Sequence, residues 1–162
     1  MPGPAQADAY AVLVTREQGR WQVDGLPGAP ADLGALVAAV RDRAGEVDAF
    51  ALVDVADEFF VVVRAGAGPV RLLLSDVTAA AEWDLARQVV DHLGIAVPSD
   101  DALQQVLPVG DLGIFEDVGV DGTELGLLLS DVDAYADELL SALARRLGFA
   151  SAYERVVDAL VQ

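Results

Sequence analysis

The sequence predicts an α+β fold: an antiparallel β-sheet, made of a hairpin plus a three-strand meander, covered by two helices and followed by a helical C-terminal region. Three observations carry this reading. Residues 50–74 hold three short runs rich in valine, leucine and phenylalanine, joined by connections short enough for hairpins. Segments 32–43 and 76–93 carry apolar residues at helical spacing. Beyond residue 110 the pattern is helical. At 162 residues the chain fits one ordinary domain, or one with a helical extension. The expected division is a sheet domain at 8–95, a connector at 96–110, and a helical region at 111–162 packed on the sheet domain as one unit.

In chain order, the run at 10–15 and the alternating Trp21-Gln22-Val23 read as a hairpin across Arg16–Arg20. Gly25, Pro27, Gly28 and Pro30 break the pattern, and Asp32 is the expected N-cap of a helix running to about Arg43, with Leu33, Leu36, Val37 and Val40 on one face. Strands at 50–55, 58–64 and 70–74 form the meander. Ser75 or Asp76 then starts a helix with Ala79, Trp83, Ala86, Val89, Val90 and Leu93 on one stripe, stopped by Gly94. The connector carries two prolines and the acidic turn Ser99-Asp100-Asp101. Residues 112–116, 123–129, 132–147 and 151–161 are expected to be helical. In the third, Val132, Tyr135, Ala136, Leu139, Leu140, Leu143 and Leu147 share a face, Asp131 or Asp133 caps the start, and Arg145 and Arg146 meet the negative end of the dipole. Leu-Leu-Leu-Ser-Asp-Val occurs at 72–77 and again at 127–132, but the flanks differ, which favours a recurring helix-start signal over a duplication.

Composition removes several classes of chemistry. Apolar residues make up 54% and charged ones 23%, so the chain reads as a packed globule despite a net charge of −17. All ten basic residues are arginine; without lysine there is no Schiff-base catalysis. Without cysteine there is no disulfide, thiolate nucleophile, cysteine-based zinc site or iron–sulfur cluster. The first residues lack the basic and apolar segments of a signal peptide, and no apolar run is long enough to span a membrane, so a cytoplasmic location is expected. Such acidity repels phosphates and opposes strong, direct nucleic-acid or membrane binding, yet suits a basic protein surface.

Few constellations suggest a site. His92 stands alone near a helix end and lacks an oriented partner, which fits a structural role. Carboxylates gather at Asp54, Asp57 and Glu58, at Glu116, Asp117, Asp121 and Glu124, and at Asp131, Asp133, Asp137 and Glu138. None follows a calcium-loop pattern, and solvated element ends account for them. Gly66-x-Gly68 lies between strands and is a turn, not a phosphate cradle. Arg16 and Arg20 flank one hairpin turn while Arg64 and Arg71 flank another; these four could form a basic rim that contacts a carboxylate-rich partner or an RNA phosphate, or they could neutralise acids across strands. No catalytic, cofactor-binding or metal-binding residue is assigned, and no cofactor is expected.

The block Ala51-Leu52-Val53-Asp54-Val55-Ala56-Asp57-Glu58-Phe59-Phe60-Val61-Val62-Val63-Arg64, continued by Val70-Arg71-Leu72-Leu73-Leu74-Ser75-Asp76-Val77-Thr78-Ala79-Ala80 and Trp83-Asp84-Leu85-Ala86, resembles the actinobacterial family of tRNA adenosine deaminase-associated proteins. Gly110-Asp111-Leu112, Glu124-Leu125-Gly126, Asp137-Glu138-Leu139-Leu140 and Arg146-Leu147-Gly148-Phe149 are similar to that family's C-terminal region. The resemblance implies a link to the enzyme that converts adenosine to inosine in tRNA. It transfers no catalytic residue. Deaminase chemistry itself needs His-x-Glu and Pro-Cys-x-x-Cys motifs, and His92-Leu93-Gly94 with no cysteine supplies neither. The leading expectation is a non-catalytic accessory protein that binds a protein partner, such as that deaminase, through the sheet edge or the C-terminal helices. The alternatives are a self-associating dimer unrelated to tRNA and a metal-assisted hydrolase built on carboxylates and His92.

Overall fold

Alternate residues of a strand point to opposite faces of its sheet, so a strand buried at every position must be covered on both sides. Two strands here meet that condition. In a computed structural model, which describes residues 9–26, 32–44, 49–95, 107–131 and 133–161, β3 (Ala49–Val55) and β4 (Phe59–Ala65) are buried along their whole length. They lie at the centre of an antiparallel sheet of order β2-β1-β3-β4-β5-β6, with β1 at Ala9–Glu17, β2 at Arg20–Leu26, β5 at Arg71–Leu74 and β6 at Val109–Gly110. The expected hairpin and meander are both present, and β1 joins them by pairing with β3, Val12 opposite Leu52.

One face, formed by Ala51, Val53, Val61, Val63, Leu72 and Leu74, packs against α1 (Leu33–Arg43) and α2 (Asp84–Leu93). The other, formed by Val12, Val14, Phe50, Leu52, Phe60, Val62 and Leu73, packs against α3 (Gly122–Leu129), α4 (Ala136–Leu147) and α5 (Ala150–Val161). The helices therefore do not all cover one face: the C-terminal set forms a third layer. A chain of aromatic contacts ties it down, Trp21 tilted against Phe149 at 5.1 Å between ring centroids and Phe50 edge-to-face with Phe115 at 5.2 Å.

Local signals set most boundaries. Gln18 and Gly19 both have positive φ, the conformation that closes a two-residue hairpin. Asp32 accepts from the amides of Gly34 and Ala35 as expected of an N-cap. Gly94, at φ 71°, ends α2.

Elsewhere tertiary contacts override the local reading. The helix expected from residue 75 to residue 93 is two pieces. Asp76 caps a 3₁₀ segment at Val77–Ala81, and Trp83 then takes an extended conformation that places its ring 5.9 Å from that of Phe59 before α2 begins. The connector contains a strand, because Gly110 pairs with Leu73. Gly110 has φ 113°, and a Cβ there would lie 2.3 Å from the Leu72 carbonyl oxygen, so only glycine fits. Residues 96–106 of that connector lie outside the described residues. Of the stretch expected to be helical at 112–116, residues 112–115 are turn and Glu116 begins a 3₁₀ segment at Glu116–Val118.

The clearest expected helix, α4, starts at Ala136 rather than near residue 132. Its cap is partly local, the Glu138 carboxylate accepting from the Tyr135 amide at 3.1 Å, and partly from elsewhere in the chain: the carbonyl and carboxylate oxygens of Asp57, in the β3–β4 turn, accept from the amides of Ala136 at 3.2 Å and Asp137 at 2.9 Å. Asp131 instead accepts from the Asp133 amide in the preceding turn, and Val132 lies outside the described residues. Tyr135 is 63% exposed instead of joining the buried face of Ala136, Leu140, Leu143 and Leu147.

Because one sheet supports both cores, loosening either face should unfold both together. Trp83 reports on the first and Trp21 on the second. Urea unfolding of single-tryptophan variants is expected to give coincident midpoints, and Leu140→Ala, on the second face, is expected to cost about 2–5 kcal/mol by either probe. Separate midpoints would show two independent units.

Candidate partner-binding surface

The strand registers place Arg16, Arg20, Arg64 and Arg71 at one end of the sheet. They do not form a common rim. Arg64 is 7% exposed; its guanidinium makes two hydrogen bonds of 2.7 Å to Asp117 and one of 2.6 Å to the Ile114 carbonyl. Arg71, opposite it in register, bonds Asp111 at 2.6 Å and the Gly113 carbonyl at 2.8 Å. Together they hold the 111–117 loop against the sheet, a bidentate arrangement that lysine could not reproduce. Arg16 lies over the Trp21 ring at 5.1 Å, and Arg20 is exposed opposite Glu17. Only the Arg16 and Arg20 pair is presented outward.

At the other end of the same face, Asp54 is 2% exposed and lies beside Tyr10, whose hydroxyl is 3.0 Å from that of Tyr153. The Asp57 amide donates to Asp54 at 2.9 Å. Burial raises the Asp54 carboxyl to about 6, against the lowering effect of the Asp57 amide and the Tyr10 hydroxyl. Burial also raises both tyrosines. Asp137 is raised chiefly by its hydrogen bond with Asp57, whereas Asp117 is held below the ordinary carboxylate range by its hydrogen bonds from Arg64. The cluster closes the junction between the β3–β4 turn, α4 and α5. Among the described residues, no group of three or more histidine, cysteine, aspartate or glutamate side chains is placed to hold a metal ion. His92, in the last turn of α2, borders an open groove with Leu33, Val37, Arg41 and Gln88, apart from these carboxylates.

The outward-facing apolar surface lies on the C-terminal layer. Successive residues of a helix are about 100° apart, so Leu127, Leu128 and Leu129 cannot all face the core. Leu125 and Leu129 do; Leu127 is 70% exposed, and with Leu128, Leu139 and Ala142 it lines a groove of about 370 Å³ between α3 and α4. Asp131, Glu138 and Arg146 rim it, and Arg146 is paired with Glu124 at 3.3 Å. Leu127 and Tyr135, which precedes α4, are the most exposed large hydrophobic side chains described. Sequence reading missed this surface, although three consecutive leucines in a helix already exceed one buried face.

Residues 9–150 match the family described as Rv3753c-like tRNA adenosine deaminase-associated protein. The chain belongs to that family. It is 40% identical over 162 residues to Protein Rv3753c of Mycobacterium tuberculosis (strain ATCC 25618 / H37Rv), covering 98% of this chain and 93% of that protein. No solved structure matches it. The family match spans the sheet, α1 to α4 and the groove, and ends at the first residue of α5; no helix among the described residues is long and apolar enough to cross a membrane.

The raised carboxyl of Asp54 fixes the sign of one pH effect. A group whose pKa is higher in the folded state contributes stability fully present below its unfolded value and lost as pH rises through the folded one. For Asp54 that loss is about 3 kcal/mol, complete once pH passes about 6. Asp117 acts oppositely, its contribution being lost as pH falls through its depressed value. Asp54→Asn keeps an acceptor for the Asp57 amide and removes the ionisation, so its stability relative to the natural chain should rise between acid and neutral pH. Urea unfolding across that range measures the difference; a constant gap would show that Asp54 does not ionise there.

Proposed function

We propose that this chain is a non-catalytic accessory protein of the cytoplasm that binds a tRNA adenosine deaminase. One observation carries the reading beyond the family description: an apolar surface around Leu127 stands uncovered, among the described residues, on a chain of net charge −17. A deaminase that handles tRNA needs a basic face for phosphates, and an acidic protein with an apolar contact surface complements such a face in charge. The non-catalytic part rests on chemistry: the chain has no lysine or cysteine and a single histidine, and Tyr10, Tyr153 and Asp54 hydrogen-bond within the fold.

The exposed leucines also favour a second reading, self-association. Salt separates the two. A complex between an acidic and a basic protein weakens as salt screens the attraction, whereas a dimer of two chains of charge −17 strengthens as salt screens their repulsion. Sedimentation of the protein alone and mixed with the deaminase of the same organism, at low and high salt, tests both. A mixed complex that dissociates as salt rises is the expected result; absence of a mixed complex at low salt, with both proteins at micromolar concentration, would reject the deaminase as partner.

A further inference from the structure

We infer that the groove between α3 and α4 receives an amphipathic helix of the protein partner, one with a leucine-like apolar stripe flanked by arginine or lysine. The inference deepens the proposed function and relies on it only for the partner's identity.

The apolar part follows from what the groove contains. Leu127, Leu128, Leu139 and Ala142 line it, and Tyr135 stands 63% exposed at the start of α4. Leu127 lies on the side of α3 away from the core residues Leu125 and Leu129, whereas Leu128 and Leu139 are partly buried against the second core and present their remaining surface to the groove. The exposed part of this surface contributes little to burial within the chain but would contribute on contact with another apolar surface.

The helical form of the occupant follows from the walls. Both are helices, whose amides and carbonyls are already paired along their length, so neither offers a free edge on which a strand could build. A furrow between two helices accepts the side-chain ridge of a third.

The basic flanks follow from charge. Asp131 and Glu138 rim the groove, and Asp133 is exposed in the turn before α4. Arg146, the one cation on the rim, is neutralised by Glu124. An incoming helix with acidic flanks, or a second copy of this rim, would meet like charge; one with arginine or lysine flanks would form several ion pairs around the apolar contact.

The competing apolar groove, between β2 and α5, is less selective. It carries both Asp24 and Arg155, and Asp24 is already paired with Arg43 at 2.6 Å.

The test uses the full chain with Leu127→Glu, Leu139→Glu and Asp131→Arg, and Glu154→Arg on α5 as a control. Two measurements are made on each. The first is complex formation with the deaminase; the second is fluorescence anisotropy with a labelled peptide of about four helical turns, carrying a leucine stripe and arginine flanks. Control peptides replace the arginines with glutamate or the leucines with serine. The arginine peptide is expected to bind in a salt-sensitive way, to lose about tenfold or more with Leu127→Glu, and to be unaffected by Glu154→Arg. Asp131→Arg is expected to weaken binding and flatten its salt dependence.

If the deaminase binds and the three groove variants bind it as well as the natural chain does, the groove inference falls and the accessory role stands. If the deaminase does not bind but the arginine peptide does, with the expected losses, the partner is wrong and the groove inference stands. Equal binding of the glutamate-flanked peptide, retention of binding by Leu127→Glu, or a homodimer disrupted by Leu127→Glu would each overturn it. Circular dichroism and the urea midpoint of each variant confirm that a loss of binding is not a loss of fold.

Discussion

The central strands have no polar face. Residues 59–63 read Phe-Phe-Val-Val-Val, and every residue of β3 and β4 is buried, so the sheet needs an apolar layer against each side. From that requirement follow the covering of one face by α1 and α2 and of the other by the C-terminal helices. The polar residues of the second face then lie where apolar packing gives out: Arg64 and Arg71 at one end, and Tyr10, Asp54 and Tyr153 at the other. Both sets join the sheet to the C-terminal layer, one through a charged clamp on the 111–117 loop and one through hydrogen bonds around the α4 N-terminus.

Elements specified by their own residues were legible in the sequence. The β1–β2 hairpin closes on Gln18-Gly19, α1 starts at the Asp32 cap, and α2 ends at Gly94, all local chemistry. What was illegible depended on a distant partner. Trp83 leaves helical geometry to lie against Phe59, Gly110 pairs beside Leu72, and α4 begins where Asp57 caps it, 80 residues earlier in the chain. No window of neighbouring residues contains those facts. The recurrent Leu-Leu-Leu-Ser-Asp-Val makes the point directly. At its first occurrence the leucines form strand β5 with Leu72, Leu73 and Leu74 all buried; at its second they end helix α3 with Leu127 in solvent.

The candidate site divides in the same way. Reading Arg16, Arg20, Arg64 and Arg71 as one rim placed all four correctly at turn ends, but whether a cation faces outward is decided by acids supplied from residues 111–117. Two of the four became internal clamps. The leucine surface had a local signature, since a helix containing Leu127-Leu128-Leu129 has more apolar surface than one buried stripe can use.

The long-range cap also ties α4 to a turn that is synthesised well before it. A helix whose first turn is held by Asp57 gains that support only when the β3–β4 turn is in place. On the ribosome, residues 49–65 emerge well before the segment 114–153 that covers their second face. Until that segment is made, Phe50, Leu52, Phe60 and Val62 lack the layer that covers them in the finished fold, so the apolar second face of the meander calls for shielding during synthesis.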